Sequence, residues 1–340
     1  MRVIIIVRVI VKTNPMFVAL ALINELKTRR MRGKSDNSNK IYDSYFKKFQ
    51  SWCLKHCVSH LPATVSTVAV FLSSLVQESV SESVLSAYFY SIKWYHDLNV
   101  YVNNPCDSKL LHMVMEGGKR ILSKPIQKKE PITPEILEQI IAKYGNDNCK
   151  RDLLCVRLCA MFLIGFAGFF RYNELANLRV RNISFHEMYM SVHIESSKTD
   201  VYRRGNDVLI ASTGKSTCPV FWTKLYLQLA ELSDKPDNFI FRSIRYLKSQ
   251  KCHKLCVINK PLSYTRAREI LLEAISSIGL NSKLFGLHSL RSGGATSAAS
   301  SGVNDRLLKL HGRWKSDFSR DNYVKDTVVN QLNVTKNLSI

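Results

Sequence analysis

The chain has 340 residues, with 49 lysines and arginines against 27 aspartates and glutamates, a formal net charge of +22. Apolar residues make up 46% and aromatic residues 10%. That is enough to fill ordinary cores, so a disordered basic tail protein is excluded and the length suggests two domains.

So positive a charge points to a polyanion: DNA, RNA or an acidic membrane surface. The excess is uneven, +7 over residues 1–35, +2 over 36–125 and +13 over 126–340. The first 25 residues are apolar but are interrupted by Arg2, Arg8, Lys12 and Pro15. No stretch there approaches the ~18–20 uncharged residues that a membrane span needs. No clear small-residue cleavage site follows, which argues against a secretory signal. The basic run from Lys27 to Lys34 has the composition of a nuclear signal or a phosphate contact. Residues 1–35 read as a basic N-terminal extension, for which disorder is one reading.

From Ser35 to Ser123 the pattern is helical. Tyr42, Tyr45, Phe46, Phe49 and Trp52 share one face at i, i+3, i+4, i+7 spacing. Val65, Val68, Phe71, Leu72 and Leu75 define a second helix, and Val84, Leu85, Tyr88, Ile92 and Tyr95 a third, ended by Asn104-Pro105. A fourth is expected from about Asp107 to Leu122. Residues 36–123 are therefore expected to form a four-helix bundle.

Residues 123–134, SKPIQKKEPITP, hold three prolines and three lysines without periodicity. The stretch 124–132 reads as an exposed linker. Thr133 followed by Pro134 suits the start of a helix, so the second domain runs over 133–340. It reads as mixed α+β, with helices at 134–144, 149–168, 219–232, 263–278, 288–301 and 304–311. Strands are expected from Met188 to Glu195 and from Asp207 to Ala211, joined by a polar turn. Gly279, Gly302 and Gly312 are placed just past helix ends, where the backbone turns left-handed.

Nine scattered cysteines, an odd number, suggest reduced thiols. Cys53, His56, Cys57 and His60 could be drawn as a zinc site, as could Cys252, His253 and Cys256. Neither has paired C-x₂-C spacing, and buried core cysteines are the preferred reading of both.

Four polar features interrupt apolar context. Arg171 follows LIGFAGFF, with Glu174 three residues on. An arginine there must be paired or must serve an anion, and Glu174 is its natural partner. Lys198 sits at the tip of the β turn in SSKTD. His288 and Arg291, in GLHSLRSGGATSAASSG, share one face of a helix start, a phosphate-shaped arrangement. Trp314 precedes Tyr323 by nine residues in HGRWKSDFSRDNYV. No P-loop sequence and no convincing acidic metal cluster is present.

The ordered set R-x-x-E-L, a lysine on a β turn, H-x-x-R and W-x₈-Y resembles the tyrosine recombinase (phage-integrase) family, over about residues 36–330. SKTDVYRRGNDVLIA and HSLRSGGATSAA look most like recombinases of eukaryotic mobile elements of the DIRS and Crypton kind. The resemblance implies a mainly α fold with a small β-sheet: an N-terminal SAM-like core-binding bundle that clamps DNA, then the catalytic domain.

It also implies roles. Tyr323 would be the nucleophile, leaving a 3′-phosphotyrosyl enzyme and a free 5′-hydroxyl. Arg171 and Arg291 would grip the non-bridging oxygens, and Lys198 would protonate the leaving 5′-oxygen. His288 would act in proton transfer or hold the phosphate. Trp314 stands where many members have histidine, and its indole N–H can still donate. His311 falls out of register for that position. Glu174 would support Arg171. No cofactor, metal or ATP is implied, since the covalent link conserves the phosphodiester energy.

Partners implied are double-stranded DNA and a homotetramer formed on it, without membrane or small-molecule cofactor. The nucleus is the expected location in a eukaryote, the cytoplasm otherwise. By position, Lys119, Arg120, Lys124, Lys128, Lys129, Arg179, Arg181, Arg203, Arg204 and Lys315 are candidate phosphate contacts. The alternatives are a type IB topoisomerase-like enzyme, to which the separate bundle is less similar, and an inactive, domesticated DNA-binding protein. Every expected catalytic position is occupied, which argues against decay. The apolar tail residues Val324, Val328, Val329, Leu332 and Val334 could dock on a neighbouring protomer or pack on their own.

Overall fold

The computed structural model describes residues 25, 28, 33–99, 103–125, 127–197, 200, 205–326, 331–332 and 335–338. Most of the 1–35 extension therefore lies outside the described residues, as do Val328, Val329 and Val334 of the tail. The chain forms two compact units, the first ending at Ile126 and the second beginning at Gln127.

The first unit consists of α1 (Asp36–Lys55), α2 (Val65–Gln77), α3 (Glu82–Leu98) and α4 (Lys109–Leu122). Ser35, Thr64 and Ser81 cap the first three, each side-chain oxygen accepting from a backbone N–H three residues on. Phe46, Phe49, Phe71, Leu72, Leu85 and Ile92 fill the core. Cys53 joins them. Cys57 does not: α1 ends at Lys55, Cys57 turns left-handed at φ 55°, and its side chain is exposed. The expectation of a core cysteine there is thus corrected, because the helical face that would have buried it has stopped. Cys252 and Cys256 are only half-buried.

His96 is buried at the end of α3. Its Nε2 accepts from the Ala63 N–H at 3.0 Å, and its Nδ1 pairs with the Ile92 carbonyl at 2.8 Å, which fixes the neutral tautomer. Burial pushes its pKa below the ordinary value. The unfolded chain therefore takes up the proton first as pH falls, so stability is full above about pH 6.5 and declines below it. Melts at pH 7.5 and pH 5 should show the drop in the wild type and a smaller one in His96→Gln.

The second unit is built around α6 (Leu153–Ala167), buried along nearly its whole length. α5 (Pro134–Tyr144), α8 (Pro219–Leu229) and α10 (His288–Ser300) pack on it. Asp152 caps α6 by accepting from the Leu154 N–H at 2.7 Å, and Cys149–Arg151 forms a separate 3₁₀ turn. The single helix expected over 149–168 is thus broken at its start.

Three antiparallel strands, β1 (Ile183–Phe185), β2 (Tyr189–Ile194) and β3 (Asn206–Ala211), form the main sheet. Val192 lies opposite Val208 and Met190 opposite Ile210, all facing the core. β4 (Ile244–Leu247) and β5 (Cys252–Leu255) make a second hairpin. The remaining helices are α7 (Tyr172–Ala176), α9 (Tyr264–Ser277), α11 (Asp305–Gly312) and α12 (Asp317–Asp321). β1, β4, β5, α7 and α12 were not expected, being too short to show a period. No helix among the described residues is long and apolar enough to cross a membrane.

The expected linker is not exposed throughout. Ile132 is fully buried, and its N–H donates to the Ser289 carbonyl on α10 at 2.9 Å. Gly293 makes this approach feasible, since a Cβ there would lie 1.9 Å from the Ile132 carbonyl oxygen. The last residues of the proline-lysine stretch are thereby part of the second unit's core.

Candidate active site

Four chain segments meet where α6 ends. The chain leaves Ala167, crosses Gly168–Phe170 and enters α7 with Arg171 at its N-cap. The Arg171 backbone N–H donates to Glu174 Oε2 at 3.0 Å, and its Nη1 donates to Oε1 at 2.7 Å. The i+3 partnership expected from sequence is present. The Glu174 side chain is only 2% exposed, against 15% for Arg171.

Glu174 serves more than one arginine. Arg313 Nη2 donates to Oε2 at 2.9 Å, and Arg291 Nη1 lies 3.8 Å from the same oxygen. Burial alone would raise its pKa. Arg313, the Arg171 N–H and the Arg171 and Arg291 guanidiniums outweigh burial and hold the carboxyl below its ordinary value. Three cations thus share one anion.

Arg291, on the first turns of α10, is fully buried. Its Nη2 donates to the Gly312 carbonyl at 2.6 Å, and Nη1 donates to the Phe169 carbonyl. The guanidinium carbon lies 4.7 Å from the Trp314 ring centre and 4.8 Å from that of Tyr323. Burial, and then the Arg171 cation, press its pKa below that of a free arginine. Because an arginine stays charged, that pressure is an electrostatic cost which a bound anion would relieve.

Trp314 is buried, and its Nε1 has no hydrogen-bond partner. An unmet indole donor on a ring packed against the Arg291 guanidinium suits an incoming oxygen. Tyr323 is half-buried, its ring centre 5.5 Å from that of Trp314 and 6.3 Å from that of His288. Thr296 Oγ1, on α10, donates to the Tyr323 carbonyl at 3.4 Å and accepts from the Lys325 N–H at 3.0 Å. His288 opens α10 and is exposed. His311 turns away, with Nε2 2.7 Å from the Ala167 carbonyl, in keeping with its being out of register.

The structure therefore brings together Arg171, Glu174, His288, Arg291, Trp314 and Tyr323. Lys198, Arg203 and Arg204 lie outside the described residues; β2 and β3 flank them. The other candidate DNA contacts differ in availability. Arg120, Lys124 and Lys315 are exposed. Lys119 is paired with Glu116 at 3.0 Å, and Lys128 reaches Asn322 Oδ1 at 3.5 Å. Lys129 donates to the Lys283 carbonyl. Arg179 stacks on Phe239 at 4.0 Å and donates to the Asp237 carbonyl. Arg181 is held by Glu195 at 3.1 Å and by Asp237, so a phosphate would have to compete with two carboxylates.

Sequence reasoning missed Arg313 and misplaced a glycine. Gly312 was expected at the left-handed position after α11, but it is the last helical residue and Arg313 holds that position, at φ 57°. Gly312 is small for another reason: a Cβ would lie 2.0 Å from the Trp314 ring. The one available signal was a basic residue directly before Trp314.

Solved structures share this fold. One is the Tn1549 transposon integrase in complex with transposon right end DNA, with a TM-score of 0.57 and 14% identity over 94% of this chain and 99% of that one. Another is the XerH site-specific recombinase bound to palindromic difH substrate in a post-cleavage complex, at 0.57 and 15%, over 86% and 76%. A lambda integrase dimer bound to a COC′ core site gives 0.55 and 16%, over 90% and 95%. Fold and arginine–tyrosine cluster together are those of a tyrosine-type DNA strand transferase. Residues 132–328 match the sequence model of the phage integrase family. An integrase/recombinase XerD homolog from Selenomonas ruminantium is 26% identical over 315 residues, 90% of this chain and 88% of that protein. The chain belongs to the phage integrase family.

Proposed function

We propose that this chain is a site-specific DNA recombinase or integrase that cuts and rejoins DNA through a 3′-phosphotyrosyl link to Tyr323. The observation that carries the reading is the placement of Tyr323 and Trp314 against the buried Arg291 guanidinium, with Arg171 joined to it through Glu174.

The Tyr323 phenol oxygen attacks the scissile phosphorus as the bond from phosphorus to the 5′-oxygen breaks. The phenol proton passes toward His288, and Lys198 supplies a proton to the leaving 5′-oxygen. Arg171, Arg291 and the Trp314 N–H hold the non-bridging oxygens as negative charge builds on them. A phenol of pKa about 10 is a poor nucleophile at neutral pH, and two guanidiniums on the phosphate offset that. Attack by a 5′-hydroxyl reverses every step, so the chemistry needs neither ATP nor a metal.

Double-stranded DNA is the substrate; the Tn1549 integrase named above was solved in complex with transposon right end DNA, and the XerH and lambda structures with a difH substrate and a COC′ core site. Strand exchange joins two duplexes and so calls for four protomers on DNA. The likeness of residues 197–211 and 288–299 to DIRS and Crypton recombinases supports a mobile-element origin.

The test begins by mixing the full chain with fragmented genomic DNA, denaturing, and sequencing the DNA that stays attached. A nicked duplex of the recovered site should then yield a denaturant-resistant adduct with the wild type and none with Tyr323→Phe. An adduct that survives in Tyr323→Phe rejects Tyr323 as nucleophile. No adduct on any site favours a binding protein without chemistry.

A further inference from the structure

We propose that Arg313 is a positioning residue for strand transfer: it occupies Glu174 so that Arg171 and Arg291 keep both their aim and their positive charge for one phosphate. The inference rests on the reading of Tyr323 as nucleophile.

The backbone is the first observation. Arg313 adopts φ 57° and ψ 38°, the left-handed conformation that favours glycine, at the turn between α11 and Trp314. A side chain tolerated there must be held by contacts that over-determine it. Arg313 has four. Its Nη1 donates to the His311 carbonyl at 2.7 Å and the Gly168 carbonyl at 3.1 Å; its Nη2 donates to the Phe169 carbonyl at 3.0 Å and Glu174 Oε2 at 2.9 Å. The Phe170 ring lies 5.0 Å from the guanidinium carbon.

Those partners are the second observation. The Phe169 carbonyl also accepts from Arg291, and Glu174 Oε2 also accepts from the Arg171 N–H. Arg313 therefore shares one acceptor with each arginine that would hold the phosphate. Its own side chain is 4% exposed, too deep for a DNA phosphate to reach.

Charge supplies the direction. With Arg313 in place, the single carboxylate is divided among three cations, and Arg171 and Arg291 remain under-neutralised. Without it, Glu174 Oε2 is free to draw Arg291 in from 3.8 Å and to pair more fully with Arg171, which it already holds, turning both from the phosphate and cancelling part of their charge. Lysine cannot replace it fully, because four acceptors divided between two guanidinium nitrogens suit a fork and not a single ammonium.

Glycine is the informative substitution, since it suits the left-handed turn while deleting the guanidinium. On a nicked duplex of the recovered cut site, full-length Arg313→Gly should form the adduct about 100-fold more slowly in single turnover, with DNA affinity unchanged. Guanidinium ion, added well below denaturing concentration, should restore much of the rate. A rate close to wild type overturns the proposal. So does a loss that follows a fall in melting temperature and that guanidinium does not restore, as expected of an arginine that only stabilises the fold. Should Arg313→Gly fail to fold, Arg313→Lys carries the test: a roughly tenfold slower adduct at near wild-type melting temperature supports the proposal, and an unchanged rate overturns it. A wild-type chain that forms no adduct rejects the nucleophile itself, and this inference with it.

Discussion

Glu174→Ala should destabilise the second unit by about 3–5 kcal/mol and abolish strand cleavage in whatever protein still folds. The carboxylate sits among Arg171, Arg291 and Arg313 at 2.7, 3.8 and 2.9 Å. Removing it leaves buried guanidiniums facing one another with backbone carbonyls as their remaining partners. Glu174→Gln keeps the shape and one acceptor but not the charge, so it should lose less stability and still cleave poorly. Urea denaturation and adduct formation measure the two effects separately.

Acid should reproduce part of this result in the wild type. The arginines lower the Glu174 pKa in the folded chain. Its contribution is therefore complete above the ordinary glutamate pKa of about 4.3, and it is lost as pH falls further, through the lowered folded value. Melts from pH 6 down to pH 3 should show the wild type converging on Glu174→Gln only in the acid limb. A variant curve parallel to the wild type throughout that limb would reject the linkage.

Gly293→Ala should be severely damaging for the addition of a single methyl. A Cβ at 1.9 Å from the Ile132 carbonyl oxygen and 2.9 Å from its carbon meets backbone, which cannot rotate away. Either α10 or the segment entering α5 must move, and α10 carries His288 and Arg291. Overpacking of this kind costs about 1–3 kcal/mol or more, and displacing the arginine stops cleavage even where the fold survives. Gly117→Ala supplies the contrast: nothing lies within 4 Å of its new methyl on α4, so a gain of up to about 1 kcal/mol in helix propensity is expected. A Gly293→Ala chain with wild-type stability would show that Ile132 does not press on α10.

Much of this architecture was legible in the sequence because it is written in local periods. The aromatic stripe of α1 and the apolar length of α6 each announce a helix. Arg171 and Glu174 are three residues apart, so their pairing needed no knowledge of the fold. Arg313 and Glu174 lie 139 residues apart. No local pattern reports that contact, and a basic residue beside a tryptophan reads as surface. Ile132 was hidden for a related reason: its prolines and lysines speak for a linker, while the glycine that draws its backbone inward stands on another helix. Gly312 and Cys57 show the limit of residue-type rules, since each depended on where a helix stopped by one or two positions.

Thr296 Oγ1 donates to the Tyr323 carbonyl and accepts from the Lys325 N–H, and this has a consequence for how sites are shared out. α10 carries the deepest arginine and also moors the tyrosine, so clamp and phenol travel as one body. On the proposed reading of Tyr323, the arginines and the tyrosine of one centre come from a single polypeptide, with no tyrosine lent by a neighbour. On that reading each protomer on DNA would own one phosphate, and a neighbour could change when it cuts without supplying a missing part.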